Sequence, residues 1–240
     1  MYFSPYMMFD PTYILVLIGL FLSMAASAKV KSTFNKYSRV RSSTGITGAE
    51  AASRILRINN ILDVQVRHIS GNLTDNFNPI KKTLNLSDAT YSSSSVASIG
   101  VAAHECGHAL QHAEGYFPLS LRAAILPVAN FGSTVSVPLI MVGFFLGAAR
   151  GGFGQTLITI GIWLFSFAVL FQLVTLPVEF NASRRALAIL EKEQILYPEE
   201  LQMTREVLTA AALTYVAAAA ASALQLLRLV ILFGGNRRDD

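Results

Sequence analysis

Residues 12–30 read TYILVLIGLFLSMAASAKV and carry no charge before Lys29. A helix needs roughly 20 apolar residues to cross a hydrocarbon core of about 30 Å, and this stretch has that length. The whole chain agrees with a membrane setting, because 52% of its 240 residues are hydrophobic and only 14% are charged, unlike an ordinary soluble protein. We therefore predict that residues 1–30 form an N-terminal transmembrane anchor.

The charges around this anchor predict its orientation. Ala26-Ser27-Ala28 imitates a signal-peptidase site, but a secretory signal places its basic residues before the apolar run. Here Asp10 precedes the run, and the basic residues follow it: Lys29, Lys31, Lys36, Arg39 and Arg41. An excess of Lys and Arg marks the cytoplasmic end of a membrane helix. We expect an uncleaved anchor with its N-terminus outside, and this orientation explains the net charge of +4 without a nucleic-acid partner.

Two further apolar runs predict a transmembrane hairpin within residues 119–176. The runs cover residues 123–149 and 155–176, with a glycine-rich turn at residues 150–154 between them. The turn carries a single Arg, whereas three basic residues follow the second run: Arg184, Arg185 and Lys192. The hairpin is therefore expected to leave and re-enter the cytoplasm, in agreement with the anchor.

A last apolar stretch, residues 209–233, is also long enough to span. Gln225 and Arg228 interrupt it, and a spanning helix would leave two arginines of the C-terminal tail outside, against the positive-inside rule. We predict that residues 209–240 form a membrane-embedded helix. A helix packed on the catalytic part or against the other spans is the alternative.

Residues 31–118 have the charges and turns of a small cytoplasmic α+β part. Thr47 and Glu50 have the spacing of a capping box. The helix that they open places apolar residues broadly on one face: Ala51, Ile55, Leu56, Ile58 and Leu62. Residues 64–69 and 83–87 alternate between apolar and polar side chains, which predicts two short strands.

The next predicted helix runs from about Ser95 to Glu114 and carries the pattern His-Glu-x-x-His at His104, Glu105 and His108. Residues four apart on a helix project from the same face, so both imidazoles can reach one ion at about 2.0–2.1 Å. Since the chain has one cysteine, the metal ligands that it offers are His and carboxylate. Glu105 projects about 100° away, where it can take a proton from a metal-bound water. The pattern predicts a zinc site with Glu105 as general base; two packed or exposed histidines without a metal are the alternative.

A third ligand must come from elsewhere in the chain. His112 continues the same face, but a straight helix carries it about 12 Å from His104, and Glu114 stands where a metzincin has its third His. The best candidate is Glu179, because Pro177 suits a first helical turn directly after the third span. A Glu that only stabilises a helix N-terminus is the alternative. The remaining carboxylates lie in a charged stretch that resembles a solvated face: Glu191, Glu193, Glu199 and Glu200.

Other predicted features complete the site. Leu84, Asn85 and Leu86 lie in the predicted strand just before the active-site helix, and we predict that this strand is a sheet edge that pairs with an extended peptide substrate. An ordinary sheet strand is the alternative. Tyr215 is a candidate oxyanion donor or, alternatively, an interfacial anchor. Residues 177–208 are expected to form the third-ligand helix and a cytoplasmic segment.

Four blocks of sequence carry a resemblance to a known family: residues 71–75 (GNLTD), 82–87 (KTLNLS), 102–111 (AAHECGHALQ) and 179–183 (EFNAS). Together they resemble the YugP-type neutral zinc metallopeptidases of bacteria. The resemblance implies a multi-pass protease of the bacterial cell membrane, of the gluzincin kind and distantly similar to HtpX-type proteases. It implies zinc held by His104, His108 and Glu179, with Glu105 catalytic.

The sequence also departs from these families. HtpX-type proteases have an Asp, which orients a ligand histidine, at the position of Ser183 in this chain. The resembled family often has Asp-His-Tyr-Asp-Pro where residues 75–79 read DNFNP. We therefore assign no catalytic role to Asn76 or Asn78.

These observations predict a mainly α, multi-span membrane protein with a small cytoplasmic α+β zincin-like catalytic part. The predicted function is that of a membrane-bound zinc metalloendopeptidase acting on membrane-associated proteins. A transporter is one alternative, in which Gln172, Gln225 and Arg228 would mark a pathway. A non-catalytic membrane scaffold with structural zinc is another, and it would not need Glu105.

Overall fold

The computed structural model describes residues 10–147 and 152–234. Within them the chain is mainly helical, as predicted, with six helices and three short strands. In chain order these are α1 (Tyr13–Tyr37), α2 (Gly48–Ile58), β1 (Gln65–Ile69), β2 (Asn76–Asn78), β3 (Thr83–Ser87), α3 (Val96–Ala113), α4 (Phe117–Phe145), α5 (Phe153–Lys192) and α6 (Pro198–Phe233). Four of these helices, α1, α4, α5 and α6, are long and apolar enough to cross a membrane by length and composition.

The chain divides into two compact units. The first, here called the helical unit, contains residues 10–25, 121–147, 152–175 and 215–234 of the described chain. The second, here called the site unit, contains Ala26–Ser120 and Leu176–Thr214. Helices α5 and α6 therefore contribute residues to both units, while α2, α3 and the strands belong to the site unit alone.

Small residues allow helices of the helical unit to approach closely. A Cβ atom added at Gly19 of α1 would lie 3.1 Å from the Cα of Ala221 on α6. A Cβ at Gly143 of α4 would lie 2.5 Å from the backbone oxygen of Gly154 on α5. Close backbone approach of this kind is typical of helices in a bilayer, where burial of apolar surface gives no driving force between helices.

An ion pair joins the first and last described parts of the helical unit. Asp10, just before α1, lies 3.4 Å from a guanidinium nitrogen of Arg228 near the end of α6. The guanidinium also lies 4.1 Å from the ring centroid of Tyr13. Together with the contact of Gly19 and Ala221, this pair makes α1 and α6 antiparallel neighbours. Arg228 thus has a structural partner in this unit.

The site unit contains a three-stranded sheet in the order β1-β3-β2. β1 pairs parallel with β3, and β2 pairs antiparallel with the other side of β3. The strand predicted at residues 83–87 is confirmed, and the strand predicted at residues 64–69 begins at Gln65. β2 was not predicted, because three residues are too short a run for alternation to be visible.

The capping box that opens α2 is confirmed. The Thr47 hydroxyl accepts a hydrogen bond from the Glu50 backbone N–H, and the Glu50 carboxylate accepts one from the Thr47 N–H. The buried face of α2 includes Ala51, Ile55 and Leu56. The prediction was wrong for Ile58 and Leu62, which are 41% and 78% exposed. The helix ends at Ile58 and Asn60 has a positive φ of 57°, so the chain turns away before the periodic pattern is completed.

α3 follows the prediction closely. The Ser95 hydroxyl is its N-cap, accepting a hydrogen bond from the Ser98 N–H, and Gly115 follows with a left-handed φ of 64°. The predicted start of a helix at Pro177 is wrong, because Pro177 lies inside the continuous α5. Proline removes one backbone hydrogen bond, and this long helix continues without it. The turn predicted at residues 150–154 is only partly described: residues 150 and 151 lie outside the described residues, and α5 already begins at Phe153.

Candidate metal and active site

Three predicted ligand residues lie together in the site unit. Candidate metal-binding atoms of His104 and His108 on α3 and of Glu179 on α5 all lie within 4.8 Å of one another. The Nε2 atom of His104 is 3.3 Å from the Glu179 Oε2 atom, and the Nε2 atom of His108 is 3.6 Å from it. The Glu179 side chain is only 3% exposed. The cluster is therefore built from two helices and largely withdrawn from solvent.

Gly107 explains how α3 and α5 come close enough to share this cluster. A Cβ atom at Gly107 would lie 2.6 Å from the backbone oxygen of Ala182 and 3.0 Å from its Cα. Real Cβ atoms do not approach a backbone this closely, so any larger residue would push the helices apart. Since Gly107 lies between the two histidines and Ala182 follows Glu179 by one turn, this contact sets the distance across the site.

Each histidine is held through its second ring nitrogen. Nδ1 of His104 lies 3.1 Å from the Ser183 hydroxyl on α5, and Nδ1 of His108 lies 3.0 Å from Oε1 of Gln111, one turn further along α3. These contacts leave both Nε2 atoms directed toward Glu179. Ser183 therefore contacts the His104 ring through a hydroxyl group.

A chain of buried polar groups continues from Gln111. Its amide nitrogen donates to the Val178 carbonyl at 2.8 Å and to the Asn181 side-chain oxygen at 2.9 Å. The same Asn181 oxygen accepts from Nε of Arg185 at 2.7 Å. Arg185 then binds both oxygens of Glu114, at 2.7 Å each. Glu114 is the outer end of this chain of polar groups.

Glu105 lies beside the ligands on α3 and is 8% exposed. Burial raises the pKa of its carboxyl above the ordinary value. The carboxylates of Glu179 and Asp75 act in the same direction, while the two histidines oppose them. Asp75 itself is fixed by the backbone N–H and hydroxyl of Ser87, which donate to it at 2.8 and 3.0 Å. A buried carboxyl next to a candidate metal position is suited to proton transfer.

The three donors fit a zinc ion. Zinc binds imidazole nitrogen and carboxylate oxygen at about 2.0–2.2 Å in a tetrahedral arrangement, whose ligand atoms are then about 3.4 Å apart. The observed nitrogen-to-oxygen separations of 3.3 and 3.6 Å lie on either side of this value. Within the described residues the cluster offers two nitrogens and one carboxylate, so a tetrahedral ion held there would keep a fourth position open, as catalytic zinc sites do.

The prediction that Leu84, Asn85 and Leu86 form a substrate-pairing edge is wrong. They lie in β3, the central strand, which has β1 on one side and β2 on the other. Leu84 and Leu86 are fully buried in the core of the site unit. The central position of β3 could not be predicted, because the three-residue strand β2 could not be recognised in the sequence. β2 is the strand at that edge, and its Phe77 ring lies 5.8 Å from the ring of His112 on α3.

The remaining predicted residues have the following places. His112 is exposed and is not part of the cluster. Tyr215 lies in α6, within the residues of the helical unit, so its predicted role as an oxyanion donor stays a prediction. Glu191 and Glu199 are exposed. Glu200 is not on a solvated face: it is buried and accepts hydrogen bonds from the backbone N–H groups of Ser43 and Tyr197.

Gln111 and Asn181 are the site residues that sequence reasoning missed. Both lie inside blocks that carried the family resemblance, and Gln111 also follows His108 by three residues on the same helix face. This spacing was a usable signal. No comparable signal pointed to Asn181, whose importance depends on the way α5 faces α3.

Comparison with known proteins defines the class. Residues 12–234 match the family described as "Putative neutral zinc metallopeptidase", and the chain belongs to this family. The chain is 49% identical over 226 residues to "Putative membrane protease YugP" of Bacillus subtilis (strain 168), covering 94% of this chain and 98% of that protein. No solved structure matches the chain.

Proposed function

We propose that the protein is a membrane-bound zinc metalloendopeptidase of the gluzincin type. His104, His108 and Glu179 hold the zinc, and Glu105 is the general base. The observation that carries this proposal is the convergence of two imidazole nitrogens and one buried carboxylate oxygen next to a second buried carboxyl. The family description and the name of the Bacillus subtilis relative support it.

The chain's own residues supply orientation and proton transfer. Ser183 and Gln111 hold the two imidazoles with Nε2 directed to the cluster. Bound zinc polarises the substrate carbonyl and lowers the pKa of water toward neutrality. Glu105 takes a proton from the attacking water as its oxygen bonds to the carbonyl carbon. The same carboxyl returns that proton to the amide nitrogen as the carbon–nitrogen bond breaks, which gives a free carboxylate and a free amine.

An extended peptide substrate is proposed to pair with β2, the edge strand, rather than with β3. β2 is short, lies at the sheet edge beside α3, and is held to β3 by the side-chain hydrogen bond from Asn85 to Asn76 at 2.9 Å. Strand addition at an edge provides backbone hydrogen bonds without requiring a particular sequence. Membrane-associated proteins are the proposed substrates, because four helices of the chain are long and apolar enough to span.

The proposed location is the bacterial cell membrane, with the N-terminus outside and the catalytic part in the cytoplasm. The basic residues after α1 support this orientation. We expect a reporter fused after Ser43 to be cytoplasmic and one inserted between α4 and α5 to be external. Measurement of both reporters in intact cells tests the orientation, and the reverse pattern would overturn it.

The central test removes proton transfer and leaves the ligands in place. Glu105→Gln keeps the size of the side chain but cannot accept a proton, so we expect peptide hydrolysis to fall by about 10²–10⁴ while bound zinc is retained. The measurement is cleavage of a casein-like substrate in detergent, with zinc content determined on the same samples. Glu179→Ala is expected to lose most bound zinc, and His112→Ala, which alters an exposed histidine of the same helix, is the control that keeps it.

The same experiment separates the enzyme from the scaffold alternative. A zinc-loaded wild type that cleaves nothing, or a Glu105→Gln variant that cleaves as fast as wild type, would make structural zinc in a non-catalytic scaffold the better account.

A further inference from the structure

The buried hydrogen bonds that lead from His108 through Gln111 and Asn181 to Arg185 have no part in the proposed reaction so far. In each of them the chemistry of the groups fixes which atom donates and which accepts. Gln111 is fully buried, and its amide has three hydrogen-bond contacts, to His108, Val178 and Asn181. A buried amide is ambiguous only when its partners can both donate and accept. Here the partners are not ambiguous.

The donors and acceptors can be assigned one after another, beginning at Arg185. A guanidinium can only donate, so the Asn181 atom that faces Arg185 must be the carbonyl oxygen. The Gln111 atom that faces the same Asn181 oxygen must then be the amide nitrogen. The Val178 backbone carbonyl, which can only accept, requires the same assignment independently. The other Gln111 atom, an oxygen, faces Nδ1 of His108.

The last link fixes the histidine. An amide oxygen only accepts, so Nδ1 of His108 must carry a proton in order to form this contact, and in the neutral ring Nε2 then holds the lone pair. We propose that Gln111 is a positioning residue for the metal site: the chain from Arg185 through Asn181 and Gln111 pre-sets the tautomer of His108 that a metal requires. The proposal rests on the proposed function only in taking His108 as a zinc ligand.

The two ligand histidines differ in this respect. His104 contacts the Ser183 hydroxyl, which rotates and can donate or accept, so Ser183 orients the ring without dictating its tautomer. The tautomer of His108 is therefore set before a metal binds, whereas His104 can change its tautomer when the metal binds.

The direct test determines which ring nitrogen is protonated in the wild-type protein, and a substitution serves only to assign the signals. With ¹⁵N-histidine labelling and zinc added in detergent at about pH 8, side-chain NMR assigns the protonated and the metal-bound nitrogen of each ring, and His108→Ala identifies the His108 signals. We expect His108 to carry its proton on Nδ1 in both the zinc-free and the zinc-loaded protein. Protonation of Nε2 with an unprotonated Nδ1 in the zinc-free protein would overturn the proposal.

Zinc affinity, measured by competition with a chelator, tests whether the chain matters for binding. Loss of such a supporting hydrogen bond typically costs 10–100-fold in metal affinity, and we expect a loss in this range for Gln111→Leu. Asn181→Asp keeps an acceptor toward both Gln111 and Arg185, and we expect its zinc affinity to stay within about threefold of wild type. Asn181→Leu removes these hydrogen bonds, and we expect it to lose as much zinc affinity as Gln111→Leu.

Thr204→Val is the matched control, because Thr204 is a fully buried polar residue of the same unit that hydrogen-bonds the Val96 carbonyl at 3.5 Å, away from the ligands. It controls for the general cost of removing a buried polar group, and we expect its zinc affinity to equal that of wild type. Equal affinities of Gln111→Leu and Thr204→Val would contradict the proposal. A protease assay is not involved, so failure here is distinct from failure of the proposed catalytic activity, which Glu105→Gln tests.

Discussion

Helix α5 packs against two partners by two different means. In the helical unit its contact with α4 combines packed apolar side chains with close backbone approach at small residues, as where Gly143 meets Gly154. In the site unit its contact with α3 combines one such approach, Gly107 against Ala182, with a chain of directional hydrogen bonds through Gln111 and beyond. The first kind of contact sets only a distance. The second also sets which atoms face each other, and a metal site requires both.

Among variants of the helix contacts, Gly107→Ala is expected to have the largest effect. The new Cβ would lie 2.6 Å from the Ala182 oxygen, so α3 and α5 must separate. Overpacking of this kind costs about 1–3 kcal/mol, and the higher helix propensity of Ala offsets only about 1 kcal/mol. Because the ligands lie on the two separating helices, we expect at least a tenfold loss of zinc affinity. Chelator competition and thermal unfolding measure the two effects.

The same substitution at the other contact of α5 should give a smaller and different result. In Gly143→Ala the new Cβ would meet the Gly154 oxygen at 2.5 Å and Ile158 at 2.9 Å, so we expect a similar loss of thermal stability in detergent. Zinc affinity should stay within about twofold, because no directional contact of the site is moved. If Gly143→Ala lost as much zinc affinity as Gly107→Ala, the proposed difference between the two kinds of helix contact would be wrong.

The smallest effect is expected at the exposed end of the polar chain. Glu114→Gln weakens the pair with Arg185, but Glu114 is 53% exposed, so the loss of stability should be below about 1 kcal/mol. The hydrogen bond from Arg185 lowers the pKa of Glu114, and the pair therefore stabilises the fold above the unfolded pKa of about 4.3 and loses this contribution as the pH falls further. Urea unfolding of wild type and variant at pH 7 and at low pH measures this. A variant as destabilised at low pH as at pH 7 would contradict the assignment.

Local patterns were sufficient for much of the fold. The capping box at Thr47, the N-cap at Ser95 and the stop at Gly115 depend on neighbouring residues, and all three were visible in the sequence. The His-Glu-x-x-His spacing is likewise local, and it placed His104 and His108 on one face. Patterns failed where the outcome depends on distant partners.

β3 illustrates that dependence. Its alternation is local and predicted the strand, but its position at the centre of the sheet is decided by β2, which is too short to detect. Pro177 illustrates a different error: proline is a good signal for a helix start, yet α5 has enough other backbone hydrogen bonds to continue through it. In the sequence Gln111 looks like an ordinary polar helix residue, because its partners Val178 and Asn181 lie on a distant helix.

The pairing of Asp10 with Arg228 has a consequence for biosynthesis. The two residues are 218 positions apart, so α1 has left the ribosome long before α6 is made. An arginine in an apolar helix is costly to insert without a partner, although less so near a helix end than at the centre of a bilayer. When α6 emerges, the carboxylate and the tyrosine ring that receive its arginine are already in place. The start of the chain thus provides the partners for Arg228 in α6. A chain that lacks Asp10 and Tyr13 should therefore insert α6 less efficiently.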